Sequence, residues 1–574
     1  MNLSPKTIIL GSIMAGSVGA MSWQIIDEAI NSKGKIRKIS KSISLAEKTS
    51  TKEFESDIKK LNNYLLKVKN PKDLNHLFTN KFFEILGKII TESTKETEKV
   101  KSAISILQVI SQNEKYCQHF VRLGILEVIL DKLHYNNPDS LKIIYSMIRK
   151  SKMLAIIELD KINGLDILIK ELKSEESVNH AGILECLTWA SEYSPKIINE
   201  LIEKSCIPLL CNLLIRYHDS NPRCVSLICS VLSDICSTST ESAVAILRIG
   251  ILPRILDLIY EKKNSQERLP ARCDALILLS HLIANPTCAH TIFESKDLID
   301  TIFKQYVNFN DLKVRYVGVK FLAKCAELNM NKNEISDPNK LKILIDLLNT
   351  KNTAILSELI KTLKLLSITV SSSKSESVAI MVELDILNRL IPLLSLPITS
   401  SPILLSIVSD AIVVVGNCCF PSQEAKEKVR DLHIIEKIIH LLDSTDPKIY
   451  INAVFAIANI VMDTENQKIV VAKKGLAKVV ELLDSTDILA LVGCTIVLRN
   501  YSVIKLNEEK KITQQWFEQV NYLIKLQAVE KMFAVLQTQQ NRQIQTVVYE
   551  CFVNLNNHPE INQKFQQLKE SQKL

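Results

Sequence analysis

Apolar residues recur along this chain in one figure. From a common start they fall at +2, +5, +6, +8 and +9, the buried face of a helix with a 3.6-residue period, closed by a Leu-Leu pair. The figure is plainest where the hexapeptide LLDSTD ends it twice, in IIEKIIHLLDSTD (434–446) and GLAKVVELLDSTD (475–487), 41 residues apart. The same template fits FFEILGKII (82–90), GILEVILDKL (124–133), GLDILIKEL (164–172), CIPLLCNLL (206–214) and GILPRILDLI (250–259). It fits again at LIDTIFKQY (298–306), LKILIDLL (341–348), DILNRLIPLL (385–394) and AVEKMFAVL (528–536). Eleven units result, starting near 81, 124, 163, 205, 250, 297, 339, 385, 433, 474 and 527. Their steps are 39 to 48 residues, except a last one of 53 that holds LNEEKKITQQWFEQV (506–520), read as an inserted loop or an extra helical turn.

Between templates lies a second helical pattern. In the unit that begins at Ile434, one helix ends at Leu442, and Asp446 then stands where an N-cap is needed. Pro447 takes the first helical position, where its missing N–H costs nothing. Ile449, Ala453, Ile457, Ile460 and Val461 fall on one face of that helix, and a short helix over 466–473 leads to Gly475. LLDSTD is thus a hinge: two leucines close one helix and an aspartate opens the next.

A period near 42 residues with a short helix and two longer ones resembles the armadillo repeat. IPLL at Ile207–Leu210 and ILP at Ile251–Pro253 echo that family's Gly-x-Ile-Pro segment. The resemblance covers residues 75–560 as architecture. It implies an all-α, armadillo-type α-solenoid, a right-handed superhelix of about eleven repeats preceded by an N-terminal hydrophobic helix. The chain then divides into an anchor (1–30), a basic juxtamembrane segment with leading helices (31–74), the solenoid (75–560) and a polar tail (561–574).

The resemblance also points to a site. In members that bind extended peptides, an asparagine on the third helix of successive repeats faces the concave groove, where its amide meets a guest's backbone. Asn417, Asn459, Asn500 and Asn554 stand at the matching positions of the last four units, while earlier units carry Asp234, Glu192 and His281. Helical geometry puts Asn459 on one face with Asn452 and Phe455, opposite the apolar stripe. The same asparagines would equally serve to tie neighbouring repeats together. The aromatic ladder of nuclear-import adaptors is missing, with Val413, Phe455, Ile496 and Glu550 in its place. The expected guest is a protein partner, as an extended or helical segment.

Composition narrows the chemistry. Only 13 glycines and 16 prolines punctuate 574 residues, which suits a long helical array. The charge of +8 is spread along the chain with no basic stripe, which argues against nucleic acid. Fourteen cysteines are scattered without CxxC spacing, and no catalytic, phosphate-binding or metal motif is present, so neither an enzyme nor a cofactor is expected.

Thr7–Ile26 runs 20 residues without a charge, as a helix about 30 Å long, enough for a hydrocarbon core. Ile8, Ile9, Leu10 and Trp23 supply its apolar surface. Lys6 precedes it, and Lys33, Lys35, Arg37, Lys38 and Lys41 follow, so the bulk of the protein would stay cytosolic. The basic cluster would also attract anionic lipid. Gly11, Ala15 and Gly19 form a small-residue stripe that would permit weak self-association. The layout is similar to that of mitochondrial outer-membrane adaptors, with the endoplasmic reticulum as alternative. Two other readings stay open: a signal cleaved after Val18-Gly19-Ala20, which would fit an armadillo-type Hsp70 nucleotide-exchange factor, and a core helix.

Overall fold

The computed structural model describes residues 35–564, apart from 42, 44–51, 67–77, 93–96, 134–137, 175–178, 262–264, 296, 369–375 and 398–400. The uncharged run with Ile8, Ile9, Leu10, Gly11, Ala15, Gly19 and Trp23 lies outside the described residues, as does most of the polar tail. Among the described residues the chain is helical, with no strand and one isolated bridge from Leu506 to Ile512.

Each template start falls within two residues of a helix start, from Asn80–Glu92 through Ile434–Leu441 to Ala528–Thr538. The reason is burial: in Ile434–Leu441 the residues Ile434, Ile435, Ile438, Ile439 and Leu441 are all buried. Each such second helix is followed by a third, and most are preceded by a short first helix.

The chain divides into two compact units, Met1–Ile292 and Phe293–Leu574. In the N-terminal unit the third helices are Glu98–Ile110, Pro138–Ser151, His180–Tyr193, Pro222–Thr238 and Leu269–Leu282, each packed against the next. The helix Lys52–Leu65 packs on Glu98–Ile110 through buried Ile58, Leu61 and Leu65, so the layer has an extra helix ahead of the first template. In the C-terminal unit the third-helix layer runs Leu312–Glu327, Thr353–Ser367, Pro402–Cys419, Pro447–Ile460, Ile488–Tyr501 and Arg542–Leu555. Pro402–Cys419 is, among the described residues, the helix long and apolar enough to cross a membrane by length and composition. It lies between Thr353–Ser367 and Pro447–Ile460, and Ile407, Val408, Ile412, Val414 and Val415 are core while Ile403 is exposed.

LLDSTD shows how one repeat joins the next. Leu441 and Leu442 are buried; in the second copy Leu483 is buried and Leu482 half-buried. The serine hydroxyl of each copy accepts the aspartate N–H, Ser444 from Asp446 at 3.2 Å and Ser485 from Asp487 at 3.1 Å. Asp446 caps the N–H of Lys448, and Asp487 caps those of Leu489 and Ala490. The first aspartate of each copy reaches forward: Asp443 pairs with Lys478 at 2.5 Å, Asp484 with Lys531 at 2.6 Å.

In eight units the elbow before the second helix takes a left-handed residue. Gly124 (φ +71°) and Gly250 (φ +84°) supply it at no steric cost. In six other units Asn163, Ser205, Asp385, His433, Lys474 and Gln527 take it at φ of 51° to 61°. The scarcity of glycine therefore hides these elbows. The long last step is both of the expected things. Leu506–Ile512 forms a small bridged loop, and Gln514–Lys525 is a first helix with Trp516 fully buried.

Candidate binding groove

Third helices dominate the C-terminal unit, so the polar side chains they leave uncovered mark its candidate site. An open groove of about 950 Å³ runs over the second half of Thr353–Ser367, Pro402–Cys419 as far as Val413, and the first half of Pro447–Ile460. Its floor holds an ion pair, Lys364 Nζ to Asp410 Oδ1 at 2.6 Å. Asp410 is buried, the single charge in an 18-residue helix. Such a carboxylate is tolerated because the lysine compensates it. Asn452 lines the groove and donates through Nδ2 to Ser409 Oγ at 2.8 Å. On the rim Glu327 accepts from Lys324 at 3.1 Å and from Lys361 at 3.0 Å. Burial works against ionisation of Glu327, but the two lysines outweigh it and hold the carboxyl below its usual range.

The asparagines matched by sequence form a separate ladder nearer the helix C-termini. Asn417 donates to Ser367 Oγ at 2.9 Å, Asn459 to the Gly416 carbonyl at 2.9 Å, and Asn500 to the Ala458 carbonyl at 2.8 Å. Each bond reaches back to an earlier third helix. All three residues are half-buried. For Asn417 and Asn459 the amide oxygen has no partner among the described residues, whereas Asn500 Oδ1 accepts from the Arg499 guanidinium. Asn554 is half-buried on Arg542–Leu555 and makes no such cross-helix bond among the described residues. Phe455 is half-buried, with its ring 3.6 Å from the position of a Cβ built on Gly493 of the next third helix. Of the six residues singled out, then, Asn452 lines the groove, Asn417, Asn459 and Asn500 form rungs, and Asn554 and Phe455 do neither.

Lys364 and Asp410 escaped the sequence reading. Their signal was the lone Asp410 inside an otherwise uncharged apolar helix. The N-terminal unit carries different rungs: Ser191 donates to Asp234 at 2.6 Å, and Lys150 to the Ser111 carbonyl at 2.9 Å. Burial raises the Asp234 carboxyl, with the Ser191 hydroxyl opposing. All fourteen cysteines are free and buried, and burial pushes thiols such as Cys117 and Cys418 up to about 12, far from a reactive thiolate.

No family model matches the chain, and no curated protein matches it. Solved structures do. An engineered protein aligns over 75% of this chain and 98% of its own, at 19% identity and a TM-score of 0.60. A structure concerned with a conserved phosphorylation switch that controls the interaction between cadherin and beta-catenin aligns over 91% of this chain and 98% of its own, at 12% identity and a TM-score of 0.59. A designed armadillo repeat protein covers 45% of this chain and 100% of its own, at 20% identity and a TM-score of 0.38. At these identities the likeness to the first two structures is one of fold alone. Sequence period, helix order and structural neighbours converge on an all-α fold of repeated helical units.

Proposed function

We propose that this chain is a protein-binding scaffold whose C-terminal unit holds an extended segment of a partner along its third helices. One observation carries the reading. Asn417 and Asn459 each donate one amide N–H to an earlier third helix while their amide oxygens have no partner among the described residues. Oxygens fixed in this way accept main-chain N–H groups from a guest of any sequence. The neighbouring groove with Lys364, Asp410 and Asn452 adds room for side chains. The work is binding by a rigid surface, as solenoids do. A structural neighbour that engages a protein partner supports it.

The test is a quantitative pulldown comparing the wild type with the chain in which Asn417, Asn459, Asn500 and Asn554 are all changed to Ala. Partner recovery falls on the order of tenfold, as loss of two or three hydrogen bonds at about 0.5–1.5 kcal/mol each implies. Circular dichroism of both chains confirms that the helices persist. Unchanged recovery with intact helices would discard the asparagine ladder as the binding surface.

For location, the reading rests on sequence. The uncharged run 7–26 with its basic sequel anchors the chain in a membrane, the mitochondrial outer membrane before the endoplasmic reticulum, with the repeats in the cytosol. A C-terminal fluorescent fusion lacking residues 1–30 becomes diffuse, and retention on the membrane would refute the anchor. A mature chain beginning at Met21 would instead revive the cleaved signal and the exchange-factor reading.

A further inference from the structure

The N-terminal unit gathers aromatic rings at a place that the groove does not use. Tyr145 on Pro138–Ser151 meets Trp189 on His180–Tyr193 edge-on, with centroids 6.3 Å apart. Trp189 in turn stacks on Tyr193 at 5.9 Å. Two cations rest on these rings. The Arg149 guanidinium lies 5.0 Å from the Trp189 centroid and 5.9 Å from that of Tyr145, and Lys152 Nζ lies 5.8 Å over Tyr193. Arg149 and Lys152 are exposed, and the three rings are half-exposed.

The charges here are uncompensated. Arg149 donates through Nη1 to the Tyr145 hydroxyl at 3.1 Å, and neither cation makes an ion pair among the described residues. Their neighbours in the same unit do: Lys196 holds Asp160 at 2.7 Å, Lys204 holds Asp166 at 2.7 Å, and Arg223 holds Glu185. Lys152 also has a backbone unlike the left-handed elbows, with φ 46° and ψ −123°. That region is costly for a residue with a side chain, and it fixes Lys152 in the turn directly after the helix. Met153 and Ile157, about half exposed, add apolar surface beside it.

A guanidinium held over an indole is ordered before any ligand arrives, and its remaining N–H groups can pair with a carboxylate. We propose that Arg149 and Lys152, held on the Tyr145–Trp189–Tyr193 platform, dock an acidic stretch of a partner protein. Its Asp or Glu carboxylates pair with the two cations while adjoining apolar side chains cover Trp189, Met153 and Ile157. Charge complementarity selects this occupant. The site stands in the other unit from the asparagine ladder and does not depend on it.

The experiment is fluorescence anisotropy of the full chain with a fluorescein-labelled peptide of alternating Glu and Leu, ten residues long. A Lys-Leu peptide of the same length and vesicles containing phosphatidylserine serve as the other arms. The Glu-Leu peptide binds, more weakly as salt rises, and the Lys-Leu peptide does not. Arg149→Ala with Lys152→Ala weakens binding at least tenfold with an unaltered melting curve, and Arg149→Lys restores only part, because the fork is lost. Binding changes tryptophan emission, and Trp189→Phe abolishes that change. Replacing the four asparagines leaves the affinity as it was, so failure of the asparagine ladder and failure of this site are distinct results. Equal affinity of the double variant, equal binding of the Lys-Leu peptide, or vesicle binding that is lost in the double variant would overturn the proposal.

Discussion

Changing Trp516 to Ala destabilises the C-terminal unit by about 3–5 kcal/mol, the range for deleting a large buried aromatic side chain. Trp516 has no exposed surface, and its indole Nε1 donates to the Ser502 carbonyl at 2.9 Å. Phe517 meets its ring edge-on at 5.2 Å, and His558 lies 6.4 Å away. Alanine therefore leaves a cavity and an acceptor without its donor, and the two costs have the same sign. Trp516 is also what seats Gln514–Lys525 after the bridged loop Leu506–Ile512, so the loss is felt first in the last repeat. Hydrogen exchange reads it as early opening of Gln514–Lys525 and Arg542–Leu555. A loss below 1 kcal/mol would mean that this helix is held by something else. Trp189→Ala, by contrast, removes a half-exposed ring, and its effect falls on binding.

The second large effect comes from adding atoms. A Cβ on Gly318 would sit 2.6 Å from Tyr306 Cβ and 3.2 Å from the Val307 nitrogen. Tyr306 and Val307 belong to the π-helical segment Phe303–Val307 and are fully buried. Alanine normally gains about 1 kcal/mol over glycine inside a helix. Here the overlap wins, because the obstructing atoms are main chain or fixed to it and cannot rotate away. Gly318→Val costs about 3 kcal/mol, the upper part of the overpacking range, and Gly318→Ala less. Gly182 is the control: a Cβ there meets only the Leu141 side chain, at 2.8 Å from Cδ1. Thermal melting of Gly318→Val, Gly318→Ala and Gly182→Ala should rank in that order of loss. Equal melting of Gly318→Val and wild type would show that the π segment yields.

What the residue pattern disclosed and what it hid follow from the same physics. The period of the second helices is legible because burial leaves no choice at Ile434, Ile435, Ile438 and Ile439. The caps at Asp446 and Asp487 are legible because few residue types can accept those N–H groups. Elbows were hidden because His433, Lys474 and Gln527 accept a left-handed backbone that glycine would have advertised. The helix Lys52–Leu65 is polar enough to pass for a leading segment, yet Ile58, Leu61 and Leu65 bury it on the first repeat. For the asparagines, spacing gave position and not partners. The fold adds that Asn417 and Asn459 each donate to an earlier third helix while their oxygens have no partner among the described residues. The Lys364–Asp410 pair joins residues 46 apart, a separation that no local pattern marks.

The doubled LLDSTD makes one repeat removable without a seam. Excising residues 447–487 joins Asp446 to Ile488, and the new junction reads LLDSTDIL, the sequence that already stands at 482–489. The serine that closes the turn and the aspartate that caps the next helix are regenerated at the join. Asp443 then takes the place of Asp484, the residue that Lys531 grips. Asn459 leaves with the excised piece, and Asn417 and Asn500 become next neighbours on the ladder. Length, and with it the span of any guest, can thus change by this one unit, because the two successive repeats end in the same six residues.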